Sequence, residues 1–454
     1  MTAVPRLLIE NGALIDGTGA APVENATIVV EGNRIARVGS AMPARPDDTV
    51  IDATGKYILP GLIDAHCHLS LHQGALAGVK YTSSAEFCAL WAARVLGKIL
   101  NAGVTGITVP GGKWFADVIV RDAVAAGMLE GPRMVVAARA LGNYGGIFDA
   151  DAYPGFEGDP ADAAGVLCNT REAFVLETRK QCRRGVDLIK LADDAWGDAQ
   201  TIAEDEMAAV VEEAHRHGVK VAIHARGSAS TRAAAQAGVD LIYHADLAAE
   251  ADLDIVAKAG MPIAPVLTSP WIAAEHGAGR GFVGAGRERL QAQLRASYKM
   301  VRNARDRGIA VLSGTDTGNA SAFHHGKWHG KEAELFVREV GMTPMEAILA
   351  NTSHNAALLA RGRVLARYTP AAASAPSVHW AVEGSPLHPR GMGQGPLSTR
   401  PAPCGPSRPW SSSQTDSSRS PWGCTRNSRS RPVGRSAGWA TQASDTGTCF
   451  RIGA

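Results

Sequence analysis

A chain of 454 residues, 45% hydrophobic and 20% charged, has the composition of a soluble globular protein and room for one large α/β barrel plus a smaller domain, or for three ordinary domains. A formal net charge of +2 points to neither nucleic acid nor membrane as partner, which leaves a small molecule, and there is no run of about 18 apolar residues to span a bilayer. That average conceals an asymmetry, because from Arg367 onward there are ten Arg, no Lys and three acids, so the tail carries +7 and the rest −5.

No basic stretch followed by an apolar core opens the chain, and the seven Cys show no zinc or redox spacing, so reduced thiols in a cytoplasmic protein are expected. Residues 6–59 alternate short β-rich pieces (7–9, 26–31, 35–38, 50–51, 57–59) with turn signals such as Gly32-Asn33. This texture predicts a small antiparallel sheet, the N-terminal part of a β-sandwich over residues 1–59.

Next comes Pro60-Gly-Leu-Ile-Asp-Ala-His-Cys-His-Leu69, an apolar run introduced by Pro-Gly that reads as a buried strand. Side chains two apart on a strand share a face, so His66 and His68 project together, with Asp64 one step deeper as a supporting residue and Cys67 turned away into packing. Two imidazoles so placed can hold one cation, or can be satisfied in a core.

From there the texture becomes short strands (62–67, 106–109, 134–138, 187–191, 219–224, 241–244, 262–266, 309–313) separated by helical stretches (84–100, 116–128, 171–184, 204–217, 231–236, 289–306, 331–340). Several helices run into Gly (Gly103, Gly185, Gly218, Gly238, Gly308), as a left-handed cap requires. Eight such units predict a (β/α)8 TIM barrel over residues 60–360. The stretch 141–168 is roughly five times the usual βα loop and reads as a substrate lid or as a disordered insertion. From residue 361 the chain is dense in Pro, Ser, Arg and Gly, lacks any sustained period, yet scatters Trp380, Trp410, Trp422 and Trp439; intrinsic disorder and a reading-frame shift near residue 360 are the two readings of this irregular tail.

Barrels of this kind keep their chemistry at the C-terminal ends of the strands. Strand one there ends in His66 and His68, strand four in Lys190, strand five in His224, strand six in His244, and strand eight runs into Asp316: six residues converging on one mouth. Lys190 cannot bind a cation as an ammonium. On a buried strand its pKa falls, and a neutral amine can add CO2 to give a carbamate that bridges two metals; otherwise it points outward or pairs with Asp193 or Asp194.

Together, Pro60–His68, the strand lysine, the two later histidines and Ser313-Gly-Thr-Asp316 resemble the amidohydrolase superfamily, in the branch of imidazolonepropionase-like enzymes, Xaa-Pro dipeptidases and ochratoxin-type amidases, from about residue 6 to residue 360. The resemblance implies that His66, His68 and Asp316 hold the more buried of two divalent metal ions, most often Zn2+, that His224 and His244 hold the second, and that a carbamate on Lys190 is shared. It implies further that a metal-bridging hydroxide attacks an amide or other C–N bond, with Asp316 accepting the proton and passing it to the leaving group. The same site could hydrolyse an ester, carbamate or phosphoester, or could be an inactive truncated barrel.

Three further residues are candidates for substrate contact. Arg226, two after His224, could meet a carboxylate or form an ion pair; Tyr144 opens the long loop; His325, with His324, resembles a pocket element of the family. Dipeptide-cleaving relatives tend to carry His where this chain has Ile147, which implies a more apolar substrate. The chain also lacks the Gly-Lys-x-Ala-Asp-Leu pattern of the C-terminal strands that complete the small β domain in relatives, so a half-built sheet with open edges is expected, inviting aggregation or pairing into a homo-oligomer.

Overall fold

The computed structural model describes residues 6–71, 84–149, 164–197, 199–277, 283–319, 323–359 and the strand 380–382. Residues 150–163 of the long loop and, apart from that strand, the tail from 361 lie outside the described residues.

Strand β1 (Arg6–Leu14) is the hub of the N-terminal sheet. β2 (Val23–Glu31) pairs with it antiparallel, and β3 (Arg34–Gly39) returns along β2 through the two-residue turn Gly32-Asn33. On its other side β1 takes two parallel partners in succession, β4 (Thr49–Asp52) near its start and β5 (Tyr57–Pro60) near its end. Ile9, Leu14, Ala26, Ile28, Ala53 and Ile58 form the core of this layer. A three-residue strand, Trp380–Val382, pairs antiparallel with β5 and brings the sheet to six strands, while β3 remains its other edge. Pairing of this kind needs only extended backbone, so no sequence pattern of the relatives is required for it.

The chain then builds a TIM barrel. β6 (Leu62–Asp64), β7 (Val104–Val109) and β8 (Arg133–Val136) form one parallel arc. β9 (Ala140–Gly142), β10 (Gly165–Leu167), β11 (Leu188–Ala192), β12 (Lys220–Gly227), β13 (Leu241–Leu247) and β14 (Ile263–Ala264) form the other, in the order β10-β9-β11-β12-β13-β14. The arcs meet at one seam through Asp187 N–H to Val136 O. At the second seam the expected eighth strand, 309–313, has no ladder of its own: a bridge joins Val311 to Ile263, and Ala65 N–H donates to Ser313 O. Here the Asn355 side chain does the work of a ladder, donating to Ile63 O and Ser313 O while its Oδ1 accepts Ser313 N–H.

Helices α1 (Ala85–Asn101), α2 (Ala116–Ala125), α3 (Arg171–Arg183), α4 (Glu204–Arg216), α5 (Ser228–Ala237), α6 (Glu250–Ala259), α7 (Thr268–His276), α8 (Ala285–Asp306) and α9 (Lys331–Leu335) accompany the strands. α1 shows why they form: the Ser84 hydroxyl accepts Phe87 N–H at its start, and Cys88, Ala92, Val95, Leu96 and Ile99 make one buried stripe. Burying a side chain the size of Leu96 or Ile99 contributes roughly 1.5–3 kcal/mol. The turn to the next strand uses Gly103 at φ 77°, a conformation costly to residues with a Cβ. α6 and α7 are absent from the sequence reading; Pro270 in Thr-Ser-Pro-Trp reads as a breaker, but in the first turn of α7 its missing N–H costs nothing. Small inward residues such as Ala65, Ala137 and Ala222 fill the barrel around Tyr243, and Ala356 and Leu359 pack against this interior.

Candidate metal centre

The regular part of β6 stops at Asp64 because that residue's Oδ1 accepts the His66 N–H at 3.0 Å, an Asx turn that lifts the chain out of the ladder. His66 and His68 follow on the bend and converge, Nε2 to Nε2 at 3.2 Å. Asp316 Oδ1 lies 3.0 Å from His68 Nε2 and 3.6 Å from His66 Nε2. A tetrahedral zinc ion with bonds of about 2.0–2.1 Å keeps its ligand atoms roughly 3.3 Å apart, so these three atoms have the spacing of one face of such a site. His68 Nδ1 lies 2.6 Å from Gly111 O, which can only accept; the proton therefore sits on Nδ1 and Nε2 keeps the lone pair that ligation needs.

Asp316 is built in at a cost. Its φ of 60° is left-handed, as is that of His244 at 79°, and such strain of about 1–3 kcal/mol per residue survives only where the surroundings impose it. Asp316 N–H donates to His66 O at 2.6 Å, and Oδ2 accepts from the Ser269 hydroxyl at 2.9 Å and from Asn319 at 3.3 Å. Burial alone would raise this carboxyl, but His66, His68 and Ser269 outweigh it and hold it well below the usual carboxylate range.

The second half of the site comes from β11, β12 and β13. Lys190, His224 and His244 are all buried, with the His224 and His244 rings 4.4 Å apart and the His66 and His244 rings 5.7 Å apart. Tyr243, which the sequence reading missed, joins the halves: its ring lies 4.2 Å from that of His66 and 4.0 Å from Lys190 Nζ, and its hydroxyl donates to Ala65 O. Lys190 does not pair with Asp193 or Asp194. Asp193 accepts from Thr201 and Ile202, and Asp194 from the backbone of Arg226, Gly227 and Gly197. Among the described residues Lys190 Nζ, His224 Nε2 and His244 Nδ1 have no hydrogen-bond partner. Burial pushes the Lys190 amine well below its ordinary value, and it does the same to His66, His224 and His244, leaving neutral nitrogens with available lone pairs. A buried polar atom left unpaired costs about 1–3 kcal/mol, so three together fit a site meant to hold cations. The residues present therefore suit a two-ion centre, although among the described residues only His66, His68 and Asp316 form a group whose ligand atoms all lie within 4.8 Å of one another.

The structure places the three expected substrate residues differently. Arg226 is buried in an ion pair with Asp246, which also accepts from Gln293 and Ser297; one Arg226 nitrogen, Nε, has no partner among the described residues. Tyr144 is 68% exposed, with its backbone N–H held by Asn169. His325 is partly buried and its Nε2 lies 2.9 Å from His68 O. His329 and Ser269 were also missed; a third His in the run His324-His-Gly-Lys-Trp-His329 was the available signal for His329.

A parallel barrel with such a cluster at its strand ends is a TIM barrel with a candidate metal site at its mouth. The sequence profile of the amidohydrolase family matches residues 57–366, most of the chain, and the chain belongs to that family. It is 28% identical over 385 residues to the ochratoxinase of Aspergillus niger, covering 76% of this chain and 75% of that protein. It is 26% identical over 402 residues to the imidazolonepropionase of Streptomyces griseus subsp. griseus, covering 82% and 90%. Among solved structures, a Xaa-Pro dipeptidase with methionine bound in its active site superposes with a TM-score of 0.68 at 26% identity, over 78% of this chain and 88% of that one. No helix among the described residues is long and apolar enough to cross a membrane.

Proposed function

We propose that this protein is a metal-dependent amidohydrolase that cleaves an amide or other C–N bond of a small molecule. The observation that carries the reading is the pairing of a three-atom ligand triangle with a buried lysine amine that has no hydrogen-bond partner among the described residues. His66, His68 and Asp316 would hold one divalent ion and His224 and His244 a second, with a CO2-derived carbamate on Lys190 shared between them; N and O donors of this kind suit Zn2+. When bound, the ions supply hydroxide near neutral pH and polarise the scissile carbonyl.

The chain's own groups do the rest. The Asp316 carboxylate accepts the proton of the attacking water and returns it to the leaving nitrogen, while Ser269 and Asn319 hold Oδ2 so that Oδ1 faces the site. For the substrate, Arg226 offers Nε, Tyr144 its exposed phenol, and His325 the Nδ1 that has no partner among the described residues. The relatives are named for ochratoxin, imidazolonepropionate and Xaa-Pro dipeptides, and Ile147 in the loop after β9 favours an apolar group in that position.

Metal analysis and turnover of the Lys190→Ala variant test the reading. The variant is expected to lose metal and activity together, and the stripped wild-type protein to recover more activity when reconstituted with bicarbonate. A Lys190→Ala protein with a full complement of metal would refute the bridging carbamate.

A further inference from the structure

The loop that runs into α9 carries two imidazoles, of which His329 has no role in the chemistry above and His325 uses there only its Nδ1. Their rings stack, with centroids 5.7 Å apart and planes 25° from parallel. His325 Nε2 lies 2.9 Å from the carbonyl oxygen of His68 and donates to it. His329 Nδ1 lies 2.7 Å from Asp64 Oδ2, and both residues are buried. The other Asp64 oxygen accepts two backbone N–H groups, those of His66 at 3.0 Å and Thr315 at 3.1 Å. The Thr315 hydroxyl also donates to Asp64 Oδ2.

These contacts have one geometry in common. His325 grips the backbone of one ligand, His68; His329 grips, through Asp64, the backbone of a second ligand, His66, and of the residue preceding the third, Asp316. None of the three contacts uses a ligand atom of the triangle. A carboxylate saturated by four donors is fixed in position, and it fixes the two chain segments that it ties together.

We propose that His329, acting through Asp64 and beside His325, is a positioning residue that sets the spacing of His66, His68 and Asp316, and so the affinity and coordination geometry of the first metal ion. The inference rests on the metal-dependent reading given above. Groups outside the ligand set that orient it commonly govern affinity about as strongly as a weak ligand does.

The test compares wild type, His329→Leu and His329→Asn as full-length protein. Zn2+ affinity is measured by competition with a chromophoric chelator, and geometry by the visible absorption of the Co2+-loaded form. The Leu variant is expected to bind the first equivalent of Zn2+ at least ~10-fold more weakly and to show a shifted Co2+ spectrum. Asn, whose side-chain nitrogen can stand where Nδ1 stood, is expected to restore most of both. A residue that only packs would lower the melting temperature of the metal-free Leu variant and leave affinity and spectrum as they were; that result overturns the clamp. Should the Leu variant fail to fold, Thr315→Val removes one donor to Asp64 at constant shape and carries the same two readouts, with the same meaning. Absence of metal uptake by wild type would overturn the metal reading and the clamp together, whereas unchanged affinity in the variants overturns the clamp alone.

Discussion

The two halves of the site solve the same problem in opposite ways. Around His66, His68 and Asp316 the protein itself supplies hydrogen bonds to the site, Gly111 O for His68, Ser269 for Asp316 and the backbone of His66 for Asp64, although His66 Nδ1 has no partner among the described residues. Around Lys190, His224 and His244 the outward atoms have no partner among the described residues, and the lysine amine rests on the face of Tyr243. The first half is preorganised by side-chain hydrogen bonds that exist without an ion; the second is held by its strand ladder and by packing, and keeps a cost that a ligand removes. Preorganisation by the protein should thus appear as rate, and the unpaired half should appear as latent instability.

The sharpest way to break the contrast is Asp316→Asn. Loss of a proton-transferring carboxylate is expected to lower kcat by about a thousandfold, read in steady-state kinetics on any substrate that wild type turns over. A drop of less than tenfold would move the proton-handling role elsewhere.

Next in size is the latent cost at Lys190. In metal-free, CO2-free protein, Lys190→Met is expected to raise stability to denaturant by about 2 kcal/mol near neutral pH, since an apolar chain of similar length replaces an unpaired buried amine. The sign of the pH dependence follows from the lowered pKa. Between that folded-state value and 10.5, the unfolded chain binds the proton and the folded chain does not, so wild-type stability rises with pH across that window and levels off above it. Lys190→Met should remove that contribution to the slope; an identical pH profile in the two proteins would show that the amine is not held neutral.

The smallest effect belongs to Ser269→Ala. One hydrogen bond to Asp316 Oδ2 is lost, at about 1 kcal/mol of stability and roughly a tenfold fall in kcat, with metal content retained.

The candidate site residues were legible because strand ends in a barrel are marked twice, by an apolar run and by the polar residue that stops it. The residues that support them were not, since Ser269, His329 and Asn355 reach Asp316, Asp64 and Ile63 across 47, 265 and 292 residues of chain. Arg226 shows the limit from the other side. Its spacing from His224 placed it on the same strand, and the equal spacing of Asp246 from His244 on the neighbouring strand held the answer that the two would pair. The eighth stretch lies where its texture placed it, bonded to Ile263 and Ala65, but the two-residue β14 beside it offers little backbone for a longer ladder. A short strand in the tail escaped notice for the converse reason: three residues carry no period.

Asn355 has a consequence for how the chain divides its labour. The side chain that locks strand one to the eighth stretch is supplied five residues before position 360, ahead of the point at which the composition turns to Pro, Ser and Arg. Ring closure is thus written entirely in the part of the message that keeps its barrel texture. A change of reading frame beyond that point would rewrite the tail and the strand against β5 while sparing the latch, so the catalytic ring and its appendix can diverge as separate texts on a single chain.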